Sequence, residues 1–136
     1  VMPSSNSMIA NSIFKLVHYY SNKHYLMTSE QMLNNLKEDV KRNPGNYSNW
    51  LNLMTNLTKP FYEVVVAGNK ASEVNKKLIN IYNPNILIAG TTKENNTLPL
   101  LSYKFNEDKT FIYVCVNGTC KKPQTSITDA LESIKK

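Results

Sequence analysis

The chain has 136 residues, 41% of them hydrophobic and 19% charged, with six Pro and four Gly. That size and balance predict one domain, or one small domain with an appendage, and exclude a collagen, a low-complexity disordered chain, a pure coiled coil and any apolar run of the ~20 residues a membrane span needs. The charge of +6 is spread evenly, six basic and three acidic side chains up to residue 60 and ten and seven after it, with Arg42 the single arginine, so it reads as solvated surface and no nucleic-acid or membrane partner is expected.

The opening Val1-Met2-Pro3-Ser4-Ser5 has neither the basic nor the apolar segment of a signal peptide. It reads like the middle of something longer, and a cytoplasmic location is the expectation. Residues 1–58 carry helical periodicity. Pro3 and the Ser/Asn cluster after it announce a helix whose apolar stripe is Ile9, Ile13, Leu16, Val17 and Tyr20. A second helix is expected from Thr28, where Thr28-Ser29-Glu30-Gln31 has the form of a capping box, and Leu33, Leu36 and Val40 continue its stripe until Pro44-Gly45. A third carries Tyr47, Trp50, Leu51, Met54 and Leu57 and closes at Pro60.

From residue 61 the period changes. Tyr62–Gly68 is a short, β-branched, nearly unbroken apolar run, the form of a strand buried on both faces. A helix with Val74, Leu78, Ile81 and Tyr82 on its inner face leads to a second strand, Ile86–Gly90, in a parallel crossover. Residues 91–109 read as loop, with a short element at Leu98–Tyr103. Thr110–Cys115 is a third strand, and Ser126-Ile127-Thr128-Asp129 caps a last helix bearing Ile127, Ala130, Leu131 and Ile134. The expected fold is therefore α/β (α+β overall): a helical segment, 1–58, and a small three-layer α/β domain, 61–136, with a mainly parallel three-stranded sheet.

The candidate chemistry is sparse. Cys115 and Cys120 are the two cysteines, and they flank Val116-Asn117-Gly118-Thr119. Asn-Gly is the strongest short signal for a type I′ hairpin. Such a turn places the cysteines opposite each other in a non-hydrogen-bonded pair, ~4.5 Å apart at Cα, where a local disulfide is sterically allowed. Structural thiols or a clip is the commoner role; redox chemistry stays open, and zinc needs ligands that the pair alone does not supply. His18 and His24 read as structural or surface residues. The acidic residues, Glu63 among them, read as mostly exposed or capping. Val66–Lys70 and Ala89–Lys93 lie at strand ends, where open sheets bind ligands, but neither is a dinucleotide or phosphate-loop motif. The four Asn-x-Ser/Thr matches fall to chance in so Asn-rich a chain. No cofactor and no metal are expected.

Three stretches carry a resemblance. Val114-Cys115-Val116-Asn117-Gly118-Thr119-Cys120-Lys121-Lys122-Pro123-Gln124-Thr125 resembles the V-C-x-N-x-T-C-x-x-P-x-T signature of the thioredoxin-domain-containing proteins typified by bacterial YyaL and the animal spermatogenesis-associated thioredoxin-like protein. Pro3–Ser7 is similar to the opening of a late helix in that family, and Glu63–Gly68 to the strand before its final α/β portion. Ser5 stands where that family commonly has Gly. The resemblance implies a C-terminal portion: the last helices of an (α/α) toroid and the α/β part behind it, with the thioredoxin-like domain and most of the toroid lying elsewhere. It implies a structural or interaction role, the rest of the parent protein as partner, and self-association of the isolated portion. The alternative is a share in a sugar-modifying, epimerase-like or thiol-redox enzyme, with Ser4, Ser5 and Asn6 as the residues here to line its cavity.

Overall fold

The computed structural model describes residues 2–135 and resolves them into two compact units that divide between Pro60 and Phe61. Among the described residues no helix is long and apolar enough to cross a membrane.

In the helical unit, α1 spans Ser5–Tyr20, α2 Lys23–Asn34, α3 Lys37–Arg42 and α4 Ser48–Thr58, with a 3-10 turn over Pro44–Tyr47. Ser4 caps α1 by accepting from the Ser7 amide, and the Ser7 hydroxyl donates back to the Ser4 carbonyl at 2.7 Å. The buried side of α1 is Ser7, Ala10, Phe14 and His18, not the expected stripe. Ile9 is 50% exposed, Tyr20 49% and Leu16 38%. The reason lies in what the partner helix offers. Ser7 and Ala10 are small enough for α4 to come close, and amides fasten the contact. Asn49 donates to the Ser7 hydroxyl at 2.9 Å, and Asn11 donates to the carbonyls of Ser7 and Asn49. Satisfied polar groups of this kind are buried at little cost, and hydropathy does not register them.

The second helix starts five residues earlier than its capping box suggests. Ser21 takes a left-handed conformation, φ 52°, which ends α1, and Asn22 at once caps α2 by accepting from the His24 amide at 2.9 Å. Thr28 then lies inside α2, its hydroxyl donating to the His24 carbonyl. The core of this unit is Phe14, Val40, Trp50 and Leu53, closed by Ala10 and Ser29.

In the second unit, β1 is Tyr62–Ala67, α5 Ala71–Ile79, β2 Ile86–Thr91, β3 Phe111–Val116, β4 Thr119–Cys120 and α6 Ile127–Lys135. The sheet order is β2-β1-β3-β4. β1 is central, which is why its sequence is apolar on both faces. It pairs in parallel with β2, Val64 beside Ile88, and antiparallel with β3, Val64 beside Val114. The sheet is thus four-stranded and mixed, and the expectation of a mainly parallel, three-stranded sheet is corrected. β2 and β3 meet β1 with the same end in common: Thr91 and Phe111 both pair with Ala67. The chain between them has only to turn back, whereas a parallel β3 would need a crossover along the sheet's length. Residues 92–110 accordingly hold no helix, and Leu98–Ser102 make a single turn.

The three-layer expectation is corrected too. Val64, Val66, Ile112 and Val114 face Ala71 and Leu78 of α5 and Ala130 and Ile134 of α6, so both helices pack on one side. The opposite side carries Glu63, Val65, Ala67, Leu87, Thr91 and Cys115, all buried. The segment around Lys104 reaches it, its carbonyl accepting from the Tyr113 hydroxyl at 2.9 Å. α5 ends at Ile79, so of its four expected inner residues Leu78 is buried and Val74 partly so, while Ile81 and Tyr82 lie past the helix and are exposed.

Candidate functional site

The hairpin after β3 is the most chemically capable feature of the second unit. Asn117 and Gly118 both take positive φ, 51° and 77°, the signature of a type I′ turn. The turn sets Val116 against Thr119 and Cys115 against Cys120. Cys115 and Cys120 form a disulfide, with their Cα atoms 3.9 Å apart. On its other side Cys115 pairs with Glu63. Residues paired across neighbouring strands share a face, so Leu87, Glu63, Cys115 and Cys120 form one row across all four strands.

Glu63 is 4% exposed, an exception to the mostly exposed or capping acids expected. The signal was present: it is the one charge inside the Tyr62–Gly68 run. Beside it lies Lys104, whose ammonium is held below the usual lysine range by burial, with the Glu63 carboxylate pulling the other way. Burial also raises the Tyr113 phenol above its ordinary value of 10.0. The unfolded phenol then ionises first, so stability falls as pH rises past that value toward the folded pKa. A phenolate absorbance titration is expected to show a late component that vanishes in Tyr113→Phe.

The bridge closes a loop five residues apart in sequence. So short a loop stabilises by only about 2 kcal/mol on chain entropy. Reduction is therefore expected to lower the denaturation midpoint while leaving the far-ultraviolet circular dichroism intact. Loss of that signal on reduction would show the hairpin to be essential to the fold.

The strand-end segments form a cleft of about 950 Å³ lined by Asn69, Lys93, Glu94, Phe105, Glu107 and Asp108 among others. It is poorly made for a phosphate. The amides that would cradle one are already used: Gly68 donates to the Thr91 carbonyl, Lys70 to the Thr110 hydroxyl at 2.9 Å and Ala71 to the Gly68 carbonyl. Three carboxylates stand at the cleft against the single Lys93. Asn69 is itself held by the Glu107 carbonyl.

Of the predicted cavity residues, Ser4 lines a polar cleft of about 240 Å³ with Ser7, Asn46, Tyr47 and Asn49. Ser5 and Asn6 are exposed and lie outside that lining. An apolar groove of about 530 Å³ runs between α2, α3 and α4, walled by Leu33, Val40, Pro44, Leu51, Met54 and Leu57. His18 is buried edge-to-face on Phe14, and His24 is exposed in the first turn of α2. Among the described residues, no three His, Cys, Asp or Glu gather as a metal site. Compared with protein-family models, curated proteins and solved structures, the chain finds no match.

Proposed function

We propose that this chain is a docking and structural portion of a larger protein rather than a catalyst. The observation that carries the reading is the second apolar face of α1. Ile9, Ile13, Leu16 and Tyr20 recur on one side of the helix, roughly a third of a turn from the buried Ser7, Ala10, Phe14 and His18. Ile9, Leu16 and Tyr20 are exposed. A helix apolar on two sides is one built to be covered on both. The open edge of β2 supports the same reading. Tyr62 donates to the Asn85 carbonyl and Gly68 to the Thr91 carbonyl, so the parallel ladder turns the odd-numbered groups of β2 inward and the amides and carbonyls of Ile86, Ile88 and Gly90 outward. The strand reads Ile-Leu-Ile-Ala-Gly-Thr, without the charge or proline that usually guards an edge.

The parent suggested by the sequence is a cytoplasmic thioredoxin-like protein with an (α/α) toroid. The helices of residues 1–58 are then its last toroid helices, and residues 61–136 its α/β end. Extending the reading frame upstream tests this. A thioredoxin-like segment followed by repeated helix pairs is expected, and an upstream sequence of any other kind contradicts the parentage. The second reading, a part in a thiol-redox enzyme, is favoured by one observation: a disulfide with one cysteine exposed and the other buried and paired with the buried Glu63.

A further inference from the structure

The two cysteines of the bridge differ in burial. Cys115 is 1% exposed in β3, and Cys120 is exposed in the two-residue strand β4 at the sheet edge. A thiolate that opens a disulfide attacks one sulfur and drives the electron pair onto the other. Only Cys120 offers access, so the pair falls on Cys115. Burial disfavours a thiolate there. The buried sulfur needs a proton when the bridge opens and must give one up when it closes.

The register puts a proton carrier beside it. Glu63 pairs directly with Cys115 across β1 and β3, and such partners hold their Cβ atoms roughly 4.5–5.5 Å apart on one face. Glu63 is buried there. Two further titratable groups on this face of the unit are Lys104, which interacts with Glu63, and Tyr113, whose hydroxyl donates to the Lys104 carbonyl. α5 and α6 pack on the opposite face.

We propose that Cys120, Cys115 and Glu63 form a thiol–disulfide exchange site that accepts electrons from a dithiol. One thiolate of the dithiol attacks the Cys120 Sγ. A sulfur–sulfur bond forms to Cys120, the Cys115–Cys120 bond breaks, and the Cys115 Sγ takes a proton drawn from solvent by way of the Glu63 carboxylate. The second thiolate of the dithiol then attacks its own first sulfur. The donor leaves as a disulfide and Cys120 leaves as a thiolate, protonated from water. Two electrons pass from the dithiol to Cys115 and Cys120, the two protons that the dithiol releases to solvent are matched by the two that these sulfurs take up, and Glu63 ends as it began. In reverse, the Glu63 carboxylate takes the Cys115 proton as that sulfur attacks a mixed disulfide at Cys120.

The test uses the full chain, oxidised glutathione as acceptor probe, and dithiothreitol against reduced glutathione as donor probes. Mass spectrometry is expected to find glutathione on Cys120 in Cys115→Ser, and at least about tenfold slower labelling of Cys115 in Cys120→Ser. Dithiothreitol is expected to open the native bridge completely, with reduced glutathione stopping at the Cys120 adduct. In Glu63→Gln, ring closure on that adduct is expected to slow about tenfold or more at neutral pH, and its pH profile to lose the limb that depends on a carboxyl. Should Glu63→Gln fail to fold, the wild-type closure profile decides. A profile with a thiol ionisation alone overturns the role of Glu63. Labelling first at Cys115, a native bridge that neither thiol opens, or a folded Glu63→Gln closing at the wild-type rate overturns the proposal.

Discussion

Gly68→Ala is expected to melt about 12–24 °C below the parent chain, the shift that a loss of about 3 kcal/mol produces in a unit of this size. Gly68 follows β1 with φ 135°, a conformation that an L side chain rarely adopts. A Cβ there would stand 2.5 Å from the Lys109 carbonyl oxygen and 2.6 Å from the Thr110 Cα. Both are backbone, so the clash is relieved only by moving the strand β3 entry. That entry holds the Thr110 hydroxyl on the Lys70 amide, and with it the start of α5. The variant is therefore expected to loosen the β1–α5 turn and the β3 register together. Thermal denaturation checks it. A melting shift within a degree or two of zero would mean that the turn relaxes freely and does not pin the sheet.

Leu53→Ala is expected to cost about 2–5 kcal/mol. Leu53 is 0% exposed in α4. The unit it belongs to has four helices, the longest of 16 residues, and short helices draw most of their stability from packing rather than propensity. A small core has little reserve, so this one truncation is expected to abolish much of the helical signal of residues 1–60. Met54→Ala is the control, because Met54 is 40% exposed one position along the same helix. Equal effects of the two, read by circular dichroism in urea, would contradict the core assigned to this unit.

What the chain disclosed of itself depended on whether the decisive contact was apolar and local. The nearly unbroken apolar run Tyr62–Gly68 marked a central strand because hydropathy reports burial on both faces. Asn117-Gly118 marked the hairpin because positive φ at both positions is a local demand. The face of α1 was illegible because it is set by small and amide side chains: Ser7, Asn11 and Asn49 mean little until α4 lies beside them. The start of α2 was misplaced because two caps competed, and Asn22 won through the left-handed residue before it. The direction of β3 is not encoded in Phe111–Val116 at all. It follows from where the preceding loop delivers the chain.

The exchange chemistry shows the same division. The opposition of the cysteines across the turn was readable from spacing. The carboxyl behind Cys115 was not, because Glu63 and Cys115 are far apart in sequence and meet only through the register of β1 and β3.

The central claim is that α1 keeps an apolar face for a partner, and sedimentation velocity over a wide concentration range tests it most directly. The chain is expected to self-associate with rising concentration. A double charge substitution on the exposed face, Ile9→Lys with Leu16→Lys, is expected to return it to a monomer with unchanged circular dichroism, because neither residue belongs to the buried side of α1. A parent chain that stays monomeric at every concentration, with α1 fully protected from hydrogen exchange, would contradict the account.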